Sequence, residues 1–252
     1  MYKITLTSGR QFLCDPEESL LDAALRAGVG LAYSCRTGRC SSCACKVRAG
    51  STHAMREEQG LSDVERAAGW ILSCARAPAS DVTLDVGETI EIQLPKVQTL
   101  PCRIQSLEKM TPDVIRVVLR LPPTIEFAFL PGQYIDVIGQ GGTKRSYSLA
   151  NADASEKRLE MHIKAVRDGK FSSYWFGQAK ENDLLRLHGP LGTFFLRNIE
   201  GKDLLFLATG TGIAPVKAML ESLSKLSPGE RPASVMIYWG GRARQDLYWD
   251  PA

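Results

Sequence analysis

Residues 2–13 alternate apolar and polar side chains, with Tyr2, Ile4 and Leu6 before Ser8-Gly9 and Phe12 after it, so the chain opens as two short strands joined by a turn. Asp15-Pro-Glu-Glu-Ser19 then offers a cap, a first-turn proline and N-terminal acids. The helix they predict carries Leu20, Leu21, Ala24 and Leu25 on one face and stops at Gly28 and Gly30. A strand over 44–47, a polar stretch to Glu65 and a strand pair near 81–92 complete a small α+β unit closing at Pro95. Residues 96–101, bounded by Pro95 and Pro101, read as a linker.

From Cys102 the pattern becomes short strands punctuated by turn residues, over 103–107, 114–121, 133–137, 145–150 and 159–166. Strands at such intervals predict a small antiparallel barrel, with a helix over 171–176 and a turn-rich closing segment from His188 to Phe195. Residues 203–208 form a continuous apolar run of the kind found in a strand buried on both faces. A glycine turn, a helix with Val216, Met219, Leu220 and Leu223, and a second apolar run over 234–239 follow. The expected organisation is therefore multidomain α+β and α/β: 1–95, the linker 96–101, a barrel over 102–198, and a strand-helix-strand unit over 199–252. One crossover cannot cover both faces of a parallel sheet, so the last unit is expected to be partial, as in a truncated or incompletely represented protein.

Composition narrows the class. Hydrophobic residues make up 44% of the 252 and charged residues 23%, values of an ordinary globular chain. The longest apolar candidate for a membrane span, 204–216, is interrupted by Gly210, Gly212 and Pro215, so no span is expected. The opening reads directly as a strand rather than an export signal, which makes the cytoplasm the expected compartment. A net charge of +3 is too mild to indicate nucleic acid. Its distribution is uneven, with 10 Lys and Arg against 12 Asp and Glu through Pro95 and 21 against 16 thereafter. The later part thus suits a phosphate-rich ligand, although a solvated surface gives the same numbers.

Cysteine spacing carries the most specific chemistry. Cys35, Cys40 and Cys43 are spaced C-x4-C-x2-C on one short loop and are answered by Cys74, the ligand pattern of a plant-type 2Fe-2S cluster. A loop wrapping an anionic cluster needs small residues, here Gly38, Ser41 and Ser42, and amides turned toward sulfur. The alternatives are a zinc site, which normally pairs two short knuckles, and disulfides, against which Cys14 and Cys102 stand singly in apolar stretches. Cys45 adds a further thiol beside the loop and reads as a strand position pointing away. Arg36, Arg39, Lys46 and Arg48 surround the loop as a basic rim that could steer an acidic partner.

Three weaker motifs concern ligands. Arg145-Ser-Tyr147-Ser148 places a cation, a ring and a hydroxyl on one strand, suited to a phosphate and a flat heterocycle. Gly169-Lys170-Phe171-Ser172 stands at a helix start, where amides can hold a pyrophosphate. Gly210-Thr211-Gly212 follows a strand and opens a helix, but lacks the third glycine of the dinucleotide fingerprint. His53, His162 and His188 are scattered and read as surface or barrel residues, and no Ser/His/Asp constellation is evident. Cofactors must then supply the chemistry.

Taken together, the cysteine loop, Arg145-Ser-Tyr-Ser148, Gly169-Lys-Phe-Ser172 and Gly210-Thr-Gly-Ile-Ala-Pro215 closely resemble the ferredoxin-NADP reductase superfamily, in the group with an N-terminal ferredoxin domain. The resemblance covers the whole chain. It implies a β-grasp 2Fe-2S ferredoxin domain, an antiparallel FAD-binding β-barrel and a truncated Rossmann-like NAD-binding domain. Cys35, Cys40, Cys43 and Cys74 would bind the cluster. Arg145 would contact the flavin's phosphate, Tyr147 would stack on its ring system and Ser148 would approach its reactive nitrogen, while Gly169, Lys170, Phe171 and Ser172 would bind the FAD pyrophosphate. Gly210, Thr211, Gly212 and Pro215 would lie beside the nicotinamide nucleotide, with Asp246 at the adenosine end. The implied activity is an NAD(P)H-dependent oxidoreductase passing electrons from NADH, or NADPH, through FAD and the cluster to a partner protein, a dehydrase or an oxygenase component. Arg242 and Arg244 could instead accept a 2'-phosphate. The competing class is a non-enzymatic iron-sulfur carrier or sensor.

Overall fold

The computed structural model describes residues 1–87 and 94–250. The chain divides into two compact units, Met1–Leu94 with Gly192–Phe194, and Pro95–Leu191 with Phe195–Ala252. Residues 88–92, within the expected strand pair near 81–92, lie outside the described part.

In the first unit β1 (Tyr2–Leu6) and β2 (Gln11–Cys14) pair antiparallel, Ile4 opposite Phe12. Helix α1 (Leu20–Arg26) starts one turn later than the acidic run suggests. Ser19 is its cap: the hydroxyl accepts the Asp22 N–H at 3.1 Å and donates to the Asp22 carboxylate, leaving the residues before it as a turn. After the cysteine loop come β3 (Ala44–Ala49), β4 (Thr52–Ala54), α2 (Asp63–Ala67), β5 (Trp70–Leu72), β6 (Arg76–Pro78) and β7 (Val82–Asp85). The polar stretch to Glu65 thus contains structure that alternation does not reveal. Helix α2 buries no residue and is specified instead by a capping box between Ser62 and Glu65.

The main sheet has the order β2-β1-β7-β3-β5, with β1 parallel to β7 and the other pairs antiparallel; β4 and β6 form a separate pair. Leu20, Leu21, Ala23 and Ala24 of α1 join Ile4, Leu6, Phe12 and Leu84 in one buried core. Cys74 occupies the turn between β5 and β6, so its place depends on both.

The second unit begins with β8 (Gln98–Thr111), which takes in most of the residues read as a linker. Pro101 is tolerated there for a geometric reason. The Ile104 N–H bonds toward Asp183, so the opposite-parity position 101 turns its missing donor to the other side, where β9 (Val114–Arg120) pairs only from Arg103. Strands β10 (Tyr134–Ile138), β11 (Lys144–Ser148) and β12 (Arg158–Lys164) follow, then a single turn of helix, α3 (Lys170–Ser173), which widens into a π-helical turn over Tyr174–Gln178. A further strand, β13 (Leu184–Leu191), overturns the reading of the segment from His188 as turns alone. Gly189 is in that strand because a side chain there would press on Ile135, at 2.8 Å from its Cγ2.

Six strands in the order β11-β10-β13-β8-β9-β12 make an antiparallel sheet. It curls so that the Ala150 N–H, just past β11, bonds to the Glu160 carbonyl of β12 at 2.8 Å, drawing the two edges together as the barrel expectation requires. Inside lie Ile104, Val117, Leu119, Ile135, Val137, Leu149, Met161 and Leu187.

In the same unit β14 (Asp203–Thr209), α4 (Ile213–Ser224) and β15 (Ser234–Gly240) form the strand-helix-strand crossover, with the two strands parallel. Phe206 packs with Ile213, Val216 and Met219 of the helix. Burial on both faces of β14 is not found: Leu205 is 59% and Leu207 73% exposed, because alternating side chains meet α4 on one face only. Among the described residues no helix is long and apolar enough to cross a membrane.

The Gly189 position yields a stability prediction. Gly189→Ala should lower barrel stability by about 1–3 kcal/mol, the usual penalty of overpacking, read as a lowered thermal midpoint in tryptophan fluorescence. An unchanged midpoint would show that Ile135 can yield.

Candidate functional site

The loop that carries three of the four cysteines is shaped by backbone packing. Gly38 adopts φ +78°, and a Cβ there would collide with the Glu57 carbonyl, while one at Gly60 would lie 2.5 Å from the Cys40 carbonyl carbon and oxygen. The Gly60 N–H donates to the Gly38 carbonyl at 2.9 Å. Segment 57–60 is thus laid directly on the loop, and this position excludes side chains at both glycines. Ser41 and Ser42 are exposed, so their small size serves the loop's outer surface.

The four expected ligands assemble as two pairs. Cys35 and Cys40, both half-buried, have their sulfurs 3.1 Å apart, and Cys43 and Cys74, both buried, lie close enough to shift each other's thiol. An amide points at sulfur as the cluster reading requires: the Thr37 N–H donates to Cys35 Sγ at 3.4 Å, and the Gly38 backbone lowers the Cys74 thiol. Burial pushes the Cys35 thiol up, but hydrogen bonds from Thr37 and Cys40 outweigh it and bring the thiol down to about 6. The neighbouring Cys43 thiol brings Cys74 to about 7 against its burial, and Cys74 in turn raises Cys43. Two pairs of thiols are the donor set of a two-iron cluster, two per metal, and these residues fit one. Cys45 lies in strand β3, fully buried in the core, where burial holds its thiol at about 12.

The basic rim is less available than its spacing suggests. Arg36 is paired with Asp22 and Arg48 with Asp85, leaving exposed Arg39 and half-buried Lys46 without an ion pair among the described residues.

In the second unit Arg145 and Tyr147 have the same parity on edge strand β11, whereas Ser146 and Ser148 have the other. Arg145 is exposed and bonds the Lys144 carbonyl, with no carboxylate partner among the described residues. Tyr147 is half-buried and fixed from behind: the Trp175 indole donates to its hydroxyl at 3.0 Å, and the rings of Phe171 and Trp175 flank it at 6.4 and 6.1 Å. Burial pushes its phenol up to about 12. Ser148 ends the strand opposite Tyr134.

Gly169 to Ser172 form a compact turn. The Val166 N–H donates to Ser172 Oγ at 2.8 Å, and the Ser173 N–H closes on the Gly169 carbonyl at 2.9 Å. A Cβ at Gly169 would lie 3.1 Å from the Val166 carbonyl and 3.2 Å from Ser172 Oγ, so the turn is a close cradle. Lys170 enters it through its backbone, its side chain lying outside the described part. Phe171 belongs to the aromatic core rather than an open face, and also edges a cleft of about 650 Å³ with Gly139, Thr143, Tyr174, Lys180 and Asp183. That cleft does not include Arg145, Tyr147 or Ser148.

Gly210, Thr211 and Gly212 form a single tight turn at the carboxyl end of β14, with Gly210 at φ +50° and Pro215 in the first turn of α4. The Trp239 indole donates to the Gly210 carbonyl at 2.9 Å. A cleft of about 440 Å³ opens at the carboxyl ends of β14 and β15, lined by Leu207, Ala208, Thr209, Tyr238, Trp239 and Gly240, where open α/β sheets bind ligands. Asp246 is turned away from solvent: its carboxylate accepts the Arg242 N–H and Nε at 3.0 Å each, and the Arg242 guanidinium holds it below the usual carboxylate range. Arg242 also meets Asp113 at 2.7 Å, whereas Arg244 is exposed.

One feature that spacing does not reveal is a buried ionic cluster behind the glycine turn. Glu160 faces Arg116 at 2.7 Å, His162 at 2.9 Å and Lys217 of α4 at 3.2 Å, and the far side of His162 meets the Tyr248 hydroxyl at 3.1 Å. Burial opposes the Glu160 charge, but these partners hold its carboxyl at about 2. The sequence signal was present in the Glu-Met-His alternation of β12, yet its partners come from three distant elements.

Comparison with known proteins agrees with this arrangement. Residues 4–79 match the 2Fe-2S iron-sulfur cluster binding domain, 101–196 the oxidoreductase FAD-binding domain and 206–251 the oxidoreductase NAD-binding domain. The chain is 40% identical, over 97% of its length and 73% of the relative's, to a CDP-6-deoxy-L-threo-D-glycero-4-hexulose-3-dehydrase reductase of Yersinia pestis. It is 32% identical, over 94% and 69%, to a terephthalate 1,2-dioxygenase reductase component of Comamonas. Its structure resembles an Amycolatopsis cytochrome P450 reductase with a TM-score of 0.75 at 30% identity, covering 98% of this chain and 74% of the other. These findings define the class as an NAD(P)H-dependent flavin and iron-sulfur oxidoreductase that transfers electrons. The chain belongs to the ferredoxin-NADP reductase superfamily, in the group that carries a plant-type 2Fe-2S ferredoxin domain.

The thiol environments make a chemical prediction for the metal-free protein. Iodoacetamide at pH 7 should label Cys35 first, with a rate that rises through about pH 6 as the thiolate forms. Buried Cys14, Cys45 and Cys102, each raised to about 12, should stay unlabelled in the folded state. Peptide mapping showing equal labelling of all seven would refute the paired arrangement.

Proposed function

We propose that Cys35, Cys40, Cys43 and Cys74 hold a 2Fe-2S cluster in a reductase that draws on NADH and serves a CDP-deoxysugar dehydrase. The observation that carries this reading is the pairing of the four thiols, two and two, with a backbone amide aimed at sulfur. When bound, FAD converts a two-electron hydride into single electrons, and the cluster accepts and passes them one at a time.

The chain's own residues bind and orient. Arg145, an exposed cation without a carboxylate, would hold the flavin's phosphate, and Tyr147, braced by Trp175, would present its ring to the flavin from the same strand face. The cradle from Gly169 through Ser172 would give backbone N–H groups to the pyrophosphate. Since Phe171 is packed in the core, its contribution is to brace Tyr147. Ser148, at the strand end, would reach the flavin edge. The turn from Gly210 to Gly212, with Pro215 setting the start of α4, would lie beside the nicotinamide nucleotide. Asp246 would act at the adenosine end through Arg242, a cation that two carboxylates already neutralise; NADH is the preferred donor on that ground, with exposed Arg244 the remaining candidate for a 2'-phosphate. Seven free thiols suit a reducing compartment, the cytoplasm. The domain limits expected from sequence, 1–95, 102–198 and 199–252, remain our working division.

The dehydrase is preferred as acceptor because the Yersinia relative is named for one and shares more identity than the Comamonas dioxygenase reductase component. Purified anaerobically, the protein should release flavin and iron in about a one-to-two ratio. Its NADH oxidation should accelerate when a CDP-6-deoxy-hexulose dehydrase and its substrate are added, and not with a terephthalate oxygenase component. Acceleration by the oxygenase instead would favour the alternative acceptor, and iron without flavin would favour a simple carrier.

A further inference from the structure

Glu58 is a carboxylate in an apolar setting, 6% exposed, in the segment laid against the cysteine loop. Burying a carboxylate is costly unless it is paired and hydrogen-bonded, and here every donor comes from the stretch that bears Cys74. Oε1 accepts the Leu72 N–H at 2.7 Å; Oε2 accepts Arg76 Nε at 2.9 Å and meets Nη2 at 2.8 Å. Leu72 and Arg76 each lie two residues from Cys74, one on either side. On its own side, Glu58 is two residues from Gly60, whose backbone abuts Cys40 and whose N–H bonds Gly38. One side chain therefore ties the backbone under the Cys35–Cys40 pair to the turn that supplies the Cys43–Cys74 pair. Backbone bonds also hold this turn, among them those from the Ser73 N–H to the Cys43 carbonyl at 3.0 Å and from the Met55 N–H to the Ala75 carbonyl at 2.8 Å, but neither comes from segment 57–60, which abuts Cys40.

We infer that Glu58 is a positioning residue for the cluster: it fixes the separation of the two thiol pairs, and Arg76 balances its charge beside an anionic centre. This rests on the reading of the four thiols as cluster ligands. Its physical content is twofold. A two-iron centre needs both pairs held at one spacing, and Glu58 spans them with two hydrogen bonds and an ion pair drawn from the stretch around Cys74. Its charge matters separately, because an amide in its place would still accept the Leu72 N–H while leaving the Arg76 cation unbalanced near the irons, which favours the reduced cluster.

The test compares Glu58→Ala, Glu58→Gln and a control, Glu65→Ala, which removes the exposed capping box of α2. In reconstituted protein Glu58→Ala should release iron to a chelator about 10- to 100-fold faster than wild type, the usual cost of losing a residue that orients ligands. Glu58→Gln should release iron at an intermediate rate and show a cluster potential shifted upward, a change that loss of packing alone would not produce. Glu65→Ala should match wild type in both. A readout without iron uses iodoacetamide on the metal-free proteins: Cys74, buried on a turn that Glu58 ties to segment 57–60, should be alkylated faster in Glu58→Ala than in wild type, with far-UV circular dichroism unchanged. Wild-type iron release from Glu58→Ala, an unshifted potential in Glu58→Gln, or equal iron loss from Glu65→Ala would overturn the inference. Failure of wild type to take up iron would instead sink the cluster reading, and the alkylation rates of Cys74 would still decide whether Glu58 positions the thiols.

Discussion

Two stretches of chain some thirty residues apart must bring four sulfurs face to face, and the contact that permits it is backbone against backbone. Segment 57–60 lies on the cysteine loop so closely that neither Gly38 nor Gly60 has room for a Cβ. Everything distinctive about the first unit follows from that approach. With the loop held against segment 57–60, the Thr37 amide donates to sulfur, and the thiols of Cys35 and Cys74 fall below their usual range. The sheet and α1 supply a rigid wall on which β3 and β5 place Cys43 and Cys74 in register, Ala44 opposite Leu72.

The second unit applies a different constraint to a similar end. Its barrel edges are joined by a backbone bond from Ala150 to Glu160, and the buried Glu160 carboxylate then draws Arg116, His162 and Lys217 together. Lys217 extends from α4, so the helix behind the glycine turn is tied to the barrel that presents Arg145 and Tyr147. The aromatic set of Phe171, Tyr174 and Trp175 fixes Tyr147 from the core side. A site built on such packed elements holds its groups in place before any ligand arrives.

Much of this was legible in the sequence where the chemistry demands fixed spacing. The C-x4-C-x2-C loop with a distant fourth cysteine, the strand bearing Arg145 and Tyr147, and the strand-turn-helix around Gly210 lie where their patterns place them. What stayed hidden depends on partners far away in sequence. Helix α2 buries nothing, so no apolar face announces it, and β13 reads as turns because Gly189 and Pro190 answer to packing and sheet position rather than to local preference. The apolar run of β14 suggested two buried faces, yet alternation and one helix cover only one. Asp246 looked available to a ligand until the fold supplied Arg242 as its partner, and Arg36 and Arg48 looked like a free rim until Asp22 and Asp85 were found beside them.

The central claim is that the thiols form two pairs serving two metals rather than one tetrahedral set. Iron K-edge X-ray absorption on the reconstituted protein tests it most directly. The account predicts a short iron–iron vector with about four sulfur neighbours per iron; a spectrum showing isolated metal ringed by sulfur, with no metal neighbour, would contradict it.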